Sequence, residues 1–219
     1  RGAANFDLAS LAEGARFAHL RGVRVYLTAN VVVLPSELPS ALKLVDEAWC
    51  AGVDAVIVQD LGLLRAIRTS LPHVRIHAST QIDVMNPDGV MALAQAGASR
   101  VTLARELSLE AIRACAATGV EIESFVHGAI CYSYSGQCLM SSMIGRRSAN
   151  RGLCAQPCRL TYDLVDPRGV TVATPGRHLL SPKDMAGIEH LPRLIEAGVA
   201  SLKIEGRMKA PEYVAIVTS

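Results

Sequence analysis

The sequence predicts an α/β fold in which short buried strands alternate with helices, and three observations support this prediction. Half of the 219 residues are hydrophobic and only 4% are aromatic, so the core is built mainly from Ala, Val, Leu and Ile, as suits parallel strands covered by helices. Apolar runs alternate with amphipathic stretches in units of roughly 25–30 residues, which is typical of βα repeats. Most of the apolar runs follow a Gly and end in a polar residue.

Six strands and five helices can be assigned from this pattern. The predicted strands cover 23–30, 53–60, 74–81, 98–106, 120–128 and 199–207. The predicted helices cover 37–50, 61–70, 87–96, 108–118 and 186–197. Asp60 and Ser108 precede two of these helices and are candidate N-caps, because their side chains can accept a hydrogen bond from the first helical turn.

The order of the elements favours a (β/α)8 barrel, or TIM barrel, over an open doubly wound sheet. No GxGxxG or GxxxxGK[ST] motif follows a predicted strand, which weakens the nucleotide-binding versions of the open sheet. Polar residues end the strands instead, and in a barrel these ends converge on one site. A closed barrel needs eight strands, whereas about six are found. Because the first residue is Arg1 rather than Met, we expect residues 1–219 to form one barrel domain truncated at its N-terminus.

Bulk properties exclude several classes of protein. The formal net charge is +2, so any surface that binds nucleic acid must be local. No apolar run approaches the ~18 residues of a membrane span, and we recognise no signal peptide. Six cysteines in 219 residues are too few for a secreted disulfide scaffold, so a cytoplasmic, metal-binding protein is predicted.

Residues 128–180 interrupt the repeat and are predicted to form a Cys-rich insertion followed by a hairpin. Residues 128–160, which we call the cysteine segment, have the spacing C-x6-C-x15-C-x3-C. Its cysteines are Cys131, Cys138, Cys154 and Cys158. A Gly/Ser-rich segment without a helical or strand period has little to hold its shape, and a metal or cluster bound by thiolates would do so. Residues 161–180 are predicted to pair as two short strands about a Pro-Arg-Gly turn.

The spacing favours an iron–sulfur cluster, with zinc and structural or redox thiols as alternatives. Structural zinc sites usually carry a C-x2-4-C pair in each half, and only Cys154 and Cys158 fit that rule. Iron–sulfur clusters accept four thiolates at looser spacings. Glycines would let the backbone approach the sulfurs closely, and the candidates are Gly128, Gly136 and Gly152.

The two other cysteines, Cys50 and Cys115, lie on predicted helices beside apolar residues. Buried Cys behaves as a small hydrophobic residue. Both are therefore interpreted as core residues rather than ligands.

Polar residues at the strand ends supply the candidate catalytic groups. His77 could orient a substrate or shuttle a proton, although a hydrogen-bonded histidine inside the barrel would give the same pattern. Arg105 and Glu106 are adjacent, so only one can enter the barrel mouth, and the other is expected to pair with a helix. Charges that alternate along residues 203–207 share one face, which is costly inside a barrel unless they are paired. The predicted catalytic residues are His77, Gln81, Arg105, Glu205 and Arg207.

Basic residues lie between and beside the cysteines, at Arg146, Arg147, Arg151 and Arg159. They could bind carboxylates or RNA phosphates, or they could form a solvated basic loop. The predicted substrate-binding residues are Arg146, Arg147, Arg151 and Lys203.

Several stretches resemble the signature of the peptidase U32 family. These are ESFVHGAICYSYSGQC, SSMIGRRSANRGLCAQPCR, VQDLGLLRAIR, HASTQIDVMN, RVTLARELS, SPKDM and SLKIEGRMKAPEYV, and they extend over nearly the whole chain. The resemblance implies a TIM barrel with two further N-terminal strands. It also implies an oxygen-independent hydroxylase with a [4Fe-4S] cluster that acts on RNA, with prephenate as a possible co-substrate.

Carried over to this chain, the resemblance implies that Cys131, Cys138 and Cys154 are cluster ligands. Some relatives carry a Cys after SPKD-Leu, where this chain has Met185-Ala186, and others carry the C-x3-C pair found here at Cys154 and Cys158. The resemblance therefore implies Cys158 as the fourth ligand. The implied reaction is formation of 5-hydroxyuridine at the tRNA wobble position. Hydroxylation of a 23S rRNA cytidine and hydroxylation in ubiquinone biosynthesis are alternatives, and the missing Cys weakens the ubiquinone alternative.

A U32-type or collagenase-like peptidase is a further alternative. The sequence contains no HExxH and no GxSxG motif, which excludes the zincin and nucleophile-elbow mechanisms. Cys131 near His127 could form a Cys–His pair, but such a nucleophile would need no three additional cysteines.

Overall fold

Six parallel strands form the sheet in the computed structural model, which describes residues 5–206 and 209–219. Each strand lies beside the one that precedes it, from β1 to β5 and then β7. The strands are β1 Tyr26–Ala29, β2 Ala55–Val58, β3 Ile76–Ala78, β4 Arg100–Thr102, β5 Glu121–Gly128 and β7 Ser201–Glu205. A two-residue strand, β6 Met185–Ala186, pairs antiparallel with the end of β5. All six predicted strands are therefore confirmed, although each is shorter than predicted.

Helices follow the strands, as expected for βα repeats. They are α1 Leu8–His19, α2 Leu38–Cys50, α3 Leu61–Ser70, α4 Pro87–Ala96, α5 Leu109–Ala116, α6 Met140–Gly145, α7 Leu191–Glu196 and α8 Pro211–Thr218. The predicted N-caps are confirmed, because Asp60 accepts a hydrogen bond from Leu63 N at 2.8 Å and Ser108 accepts one from Ala111 N at 3.3 Å. The helix predicted over 186–197 is shorter, since β6 and a 3-10 turn occupy its first half.

The hydrophobic core lies between one face of the sheet and the helices. Strand residues such as Val56, Ile76 and Ile122 are almost fully buried there against Ile67 of α3 and Leu194 of α7. A strand order that runs in one direction, with apolar helices packed on one face, is the arrangement of a barrel and not of a doubly wound sheet. The fold is therefore a half-barrel of the (β/α)8 type.

The other face of the sheet carries charges that pair with one another. Arg100 of β4 donates to Glu121, and its Nη1 lies 3.4 Å from Glu123 Oε2. Glu123 also accepts hydrogen bonds from Lys203 Nζ at 3.0 Å and from Ser201 Oγ at 2.9 Å. Burial alone would raise the pKa of Glu123, but the Lys203 ammonium and these hydrogen bonds outweigh burial and lower it. The inner face of the half-barrel is thus filled by a paired ionic network.

Two details differ from the predictions. Cys115 is fully buried as predicted, but Cys50 is exposed, so its interpretation as a core residue is wrong. Cys50 follows the buried Ala48 by two residues and Val45 by five, and at 3.6 residues per turn it lies on the opposite side of α2. The hairpin region holds a single antiparallel bridge, between Val165 and Thr171, in place of two strands. Within the described residues, no helix is long and apolar enough to span a bilayer.

Candidate functional site

The C-terminal ends of the strands open into a cavity of about 220 Å³, which the cysteine segment covers. We call it the thiol cavity, because all four cysteines of that segment line it: Cys131, Cys138, Cys154 and Cys158. From the strand ends it is lined by Asn30, Ser79, Gln81, Arg105, Phe125, Lys203 and Glu205. The structure therefore brings the predicted ligands to the same place as several predicted catalytic residues.

The four thiols of the cavity are free and influence one another. None of the cysteines forms a disulfide within the described residues. Burial raises the pKa of the Cys158 thiol, and the charges of Cys131, Cys154 and Cys138 raise it further, while Arg159 opposes the rise. The cysteines are therefore near enough to interact electrostatically.

Cys154 already receives two hydrogen bonds at its sulfur. Ser141, which is buried, donates from Oγ at 3.9 Å, and the backbone N–H of Gln156 donates at 3.4 Å. Hydrogen bonds to sulfur stabilise the thiolate, which is the form that binds metal.

The thiols surround the cavity rather than meeting at a point. Among the described residues, no three His, Cys, Asp or Glu side chains lie close enough together to share one metal ion. Four thiolates bound to a zinc ion at Zn–S distances near 2.3 Å would hold their sulfurs within about 4 Å of one another. The four thiols are therefore spaced too widely to bind one small ion together. In a multi-iron cluster, by contrast, each thiolate binds a separate iron.

Glu106 holds the middle of the cysteine segment. Its carboxylate accepts hydrogen bonds from the backbone N–H of Ser135 at 2.8 Å and from the Ser135 hydroxyl at 3.2 Å. Ser135 is completely buried. The prediction that either Arg105 or Glu106 pairs with a helix is wrong, because Arg105 lines the cavity and Glu106 binds the cysteine segment.

Two glycines permit close contact between the cysteine segment and the strand ends. A Cβ at Gly136 would lie 2.0 Å from the Gln81 carbonyl oxygen, and one at Gly128 would lie 2.2 Å from that of Glu205. Both glycines have positive φ, at 76° and 101°, where other residues are strained. At these two positions the missing side chain permits an approach to strand-end carbonyls, and the expected approach of glycines to sulfur stays a prediction.

Two of the four arginines of the cysteine segment act as structural clamps. Arg159 donates to the carbonyl oxygens of Ile130 at 2.6 Å and Pro182 at 2.7 Å. Arg151 binds both carboxylate oxygens of Glu37, at 2.6 and 2.8 Å. Hydrogen bonds from Arg151 and from a backbone N–H lower the pKa of Glu37 to about 2. Arg151, predicted to bind substrate, does not line the thiol cavity and is already paired.

Arg146 and Arg147 remain exposed on the loop that follows α6. Neither forms an ion pair with any described residue, and neither lines the cavity. Their predicted role in substrate binding stays a prediction.

Arg105 and His77 are predicted catalytic residues with a buried nitrogen that lacks a hydrogen-bond partner among the described residues, and of the two Arg105 lines the cavity. Its guanidinium lies over the ring of Phe125, 5.3 Å from the ring centroid. Its Nε is buried and has no hydrogen-bond partner among the described residues. Lys203 also lines the cavity but is neutralised by Glu123, so Arg105 offers the unpaired positive charge of the site.

Gln81 and Glu205 also lie in the thiol cavity, as predicted for catalytic residues. The side-chain oxygen of Gln81 accepts a hydrogen bond from Asn30 Nδ2 at 2.7 Å. This contact ties the end of β1 to the turn after β3. Arg207, another predicted catalytic residue, lies outside the described residues.

His77 does not reach the cavity. It lies deeper in β3, 2% exposed, with its ring edge-on to Tyr26 at 4.8 Å between centroids. Burial, together with the positive charge of Arg100, lowers the pKa of His77 to about 4. His77 is thus a neutral interior histidine at physiological pH. Its Nε2 has no hydrogen-bond partner among the described residues, so it is not the hydrogen-bonded histidine of the alternative, and its catalytic role stays a prediction.

The sequence reasoning missed two aromatic residues at the cavity, Tyr132 and Tyr134. Both line it, yet they are 59% and 64% exposed. The scarcity of aromatic residues could have indicated them. The chain has only five Tyr, three Phe and one Trp, and two of these nine residues lie between Cys131 and Cys138.

Comparison with known proteins identifies the family to which the chain belongs. The family model described as peptidase family U32 matches residues 1–219. The chain is 44% identical over 217 residues to the 23S rRNA 5-hydroxycytidine C2501 synthase of Escherichia coli (strain K12). This match covers 99% of this chain and 33% of that protein. It is 40% identical over 221 residues to tRNA hydroxylation protein P1 of Bacillus subtilis (strain 168). This second match covers 98% of this chain and 52% of that protein. The chain thus spans between a third and about half of these curated relatives.

A solved structure supports the fold. The U32 peptidase Mk0906 superposes with a TM-score of 0.52 over 80% of this chain and 73% of that one. Since the two sequences are only 19% identical, this likeness bears on the half-barrel architecture and not on the reaction.

Proposed function

The chain belongs to peptidase family U32, and from that premise we propose that it forms the catalytic core of an iron–sulfur enzyme that hydroxylates a base in RNA. The observation that carries the proposal is the thiol cavity, which is lined by four free thiols and by Arg105, whose Nε has no partner among the described residues. Two relatives whose names refer to RNA hydroxylation support the choice of substrate. RNA as substrate agrees with the predicted cytoplasmic location.

The four cysteines of the cavity would hold a [4Fe-4S] cluster. The donor set fits in its chemistry, because four thiols line one cavity and iron–sulfur clusters are held by Cys thiolates. Replacing a C–H bond of a base by C–OH with oxygen from water releases two electrons and two protons, so the reaction needs an external electron acceptor. A bound cluster would relay those electrons one at a time from the substrate to that acceptor. Ser141 and the Gln156 N–H would donate hydrogen bonds to the sulfur of Cys154 beside the cluster.

The preferred substrate is the tRNA wobble uridine, with a 23S rRNA cytidine as the alternative. A cavity of about 220 Å³ has room for a single base but not for a stem, so the target base would enter unstacked from a loop. Asn30 Oδ1 is buried and has no partner among the described residues, and it offers an acceptor to a base N–H. Gln81 would orient Asn30 through their 2.7 Å hydrogen bond.

Prephenate is proposed as the co-substrate, and Arg105 is proposed to bind one of its carboxylates. The guanidinium has an unused buried donor, and charge-assisted hydrogen bonds to carboxylate are among the strong ones. A second cavity of about 240 Å³ shares Arg105 and Phe125 with the thiol cavity, and its wall includes Leu107, Leu109 and Ile112. This apolar wall would accommodate the ring of the same molecule.

The alternatives keep less support. Ubiquinone biosynthesis would use the same cavity, and the missing Cys after SPKD argues against it. A peptidase would require a nucleophile beside a base, yet the His127 ring lies 6.0 Å from that of Tyr213 in α8 and does not line the thiol cavity. The proposed Cys–His pair therefore finds no geometric support.

Anaerobic purification of the full chain, followed by iron and sulfide analysis, tests the cluster. We expect about four irons and four sulfides per chain, and loss of both when any of Cys131, Cys138, Cys154 or Cys158 is changed to Ser. Cys50→Ser is the matched control, since Cys50 is exposed and lies outside the cavity. Zinc without iron would contradict the proposal.

Mass spectrometry of RNA from a strain that lacks the gene tests the substrate. Loss of hydroxylated wobble uridine supports the tRNA assignment. Loss of a hydroxylated rRNA cytidine would transfer the assignment to rRNA, and unchanged RNA with an altered quinone pool would overturn RNA hydroxylation altogether.

A further inference from the structure

Two exposed tyrosines stand at the mouth of the thiol cavity. Tyr132 and Tyr134 line the cavity while more than half of each residue is exposed. Neither hydroxyl forms a hydrogen bond in the part of the chain that the structure describes. A scattered exposed apolar residue needs no explanation, but this chain has only five Tyr and two of them frame the opening of one cavity. Their position calls for a ligand with a flat face.

The backbone that carries these rings is held in place. Ser135, directly after Tyr134, is completely buried and bound through its N–H and hydroxyl to Glu106. Gly136 is in contact with the Gln81 carbonyl, where a Cβ would not fit. Because the next two residues are anchored, the rings are presented from a fixed backbone, and little backbone entropy is lost when a ligand stacks on them.

Two unpaired positive charges lie close to the same opening. Arg146 and Arg147 are exposed and form no described ion pair, unlike Arg151 and Arg159, which are used as clamps. Their loop follows the six-residue helix α6, whose first residue Met140 lines the cavity. At 1.5 Å per residue, α6 is about 9 Å long, so Arg146 and Arg147 follow the cavity-lining Met140 by about one length of this short helix.

We propose that this surface binds single-stranded RNA, with bases stacked on Tyr132 and Tyr134 and phosphates bound by Arg146 and Arg147. Aromatic rings beside basic side chains are the combination that unpaired nucleic acid uses, because every base has a face that stacks and every nucleotide carries a phosphate. A double helix would present neither exposed base faces nor a base free to enter the cavity. The inference rests on the proposed function and names how its substrate is held.

Fluorescence anisotropy with a labelled tRNA anticodon stem-loop tests the proposal, because it measures binding without turnover. Tyr132→Ala and Tyr134→Ala should each weaken binding about tenfold, while Tyr132→Phe and Tyr134→Phe, which keep the ring, should bind like the wild type. Phe17→Ala is the matched control, because Phe17 is 60% exposed on α1 and does not line the cavity. The melting temperature of each variant shows that it is folded.

The salt dependence of binding tests the arginines. Arg146→Ala and Arg147→Ala should each reduce the slope of log K against log salt by about one, whereas Arg113→Ala, an exposed arginine on α5, should leave it unchanged. A blunt-ended duplex RNA should bind more weakly than the stem-loop.

Three results would overturn the inference: no binding of the stem-loop by the wild type, unchanged binding by both Ala variants, or equal loss in the Ala and Phe variants. The last would mean that the hydroxyls and not the rings make the contact. Failure of the proposed function looks different, since the wild type would then bind the stem-loop with the expected variant pattern and yet hydroxylate nothing.

Discussion

The helix-facing side of the sheet and the cysteine segment are held together by different forces. In the sheet, Val56, Val58 and Ile67 are completely buried among other apolar side chains. In the cysteine segment the large apolar residues are exposed, including Met143 at 82% and Ile144 at 64%. Its buried residues include the polar Ser135 and Ser141. Hydrogen bonds hold it, accepted by Glu106 and donated by Arg151 and Arg159.

This difference indicates how each region responds to damage. A large apolar core loses stability in proportion to the area and cavity that a mutation creates. A segment held by a few separate hydrogen bonds can open locally while the rest of the molecule stays folded. The cysteine segment is therefore the region whose opening would release the thiols without unfolding the half-barrel.

The largest effect is expected from Ile67→Ala in α3. Ile67 is completely buried between α3 and the sheet, so truncation should lower the free energy of unfolding by about 3 kcal/mol. Urea unfolding measures the change. Ile144→Ala in the cysteine segment is the matched control and should change it by less than about 0.5 kcal/mol. Equal losses in the two variants would remove the contrast between the regions.

The next largest effect is a pH dependence from His77. Its pKa is about 4 in the folded protein, against an ordinary value of 6.5, so the unfolded chain binds the proton more readily. The contribution of neutral His77 to the free energy of unfolding is complete above pH 6.5. It is lost as the pH falls towards 4, by at most about 3 kcal/mol. His77→Gln should remove this loss, measured as the difference in urea unfolding between pH 7 and pH 4.5. His178→Gln, at an exposed position, should keep the wild-type slope; a His77→Gln slope equal to wild type would contradict the assignment.

A smaller and more local effect is expected from Glu106→Ala. It would leave the buried N–H and hydroxyl of Ser135 without their acceptor, at a cost of about 1–3 kcal/mol. Hydrogen exchange should accelerate in peptides covering 131–140 but not in those covering β2 or β3, and bound iron should fall. Glu110→Ala, an exposed change on α5, should do neither. Acceleration across the whole chain would mean that Glu106 supports the global fold instead.

The smallest effect is expected at the Glu37–Arg151 pair. Both side chains are more than a third exposed, so solvent and salt screen their attraction. A double-mutant cycle with Glu37→Gln and Arg151→Gln should give a coupling below the Glu106→Ala effect, and high salt should reduce it. A coupling free energy that is large and insensitive to salt would contradict this, and would mean that the Glu37–Arg151 pair is as strongly stabilising as contacts in the sheet core.

Local patterns in the sequence were sufficient for much of the fold. The six strands and the caps at Asp60 and Ser108 were predictable, because hydrophobic period and capping depend on residues close together in the chain. Helix α1 was not predicted, since Gly14 lies in its middle and Ala15 is the one residue of this helix that is buried. Helix α6 has six residues, two of them Ser, and such a short polar segment carries no readable period.

The candidate site was predictable in part. The four cysteines and Gln81, Arg105, Lys203 and Glu205 were named from sequence and line one cavity. Arg151 was misjudged because its partner Glu37 is 114 residues away in the chain, and no local pattern reveals such a pair. Tyr132 and Tyr134 were overlooked because exposure is a property of the folded surface.

By itself, the sequence determined the α/β class and the strand–helix order and named four cysteines as candidate ligands, since these follow from composition, period and spacing along the chain. Only the tertiary structure decided how deeply each polar residue is buried and which charged residues pair. Ser79 lines the cavity, whereas His77, two residues earlier on the same face and about 7 Å deeper, is sealed beneath it. The physical reason is that strand register and long-range ion pairs set which polar groups meet solvent, and both depend on contacts between residues that are distant in sequence.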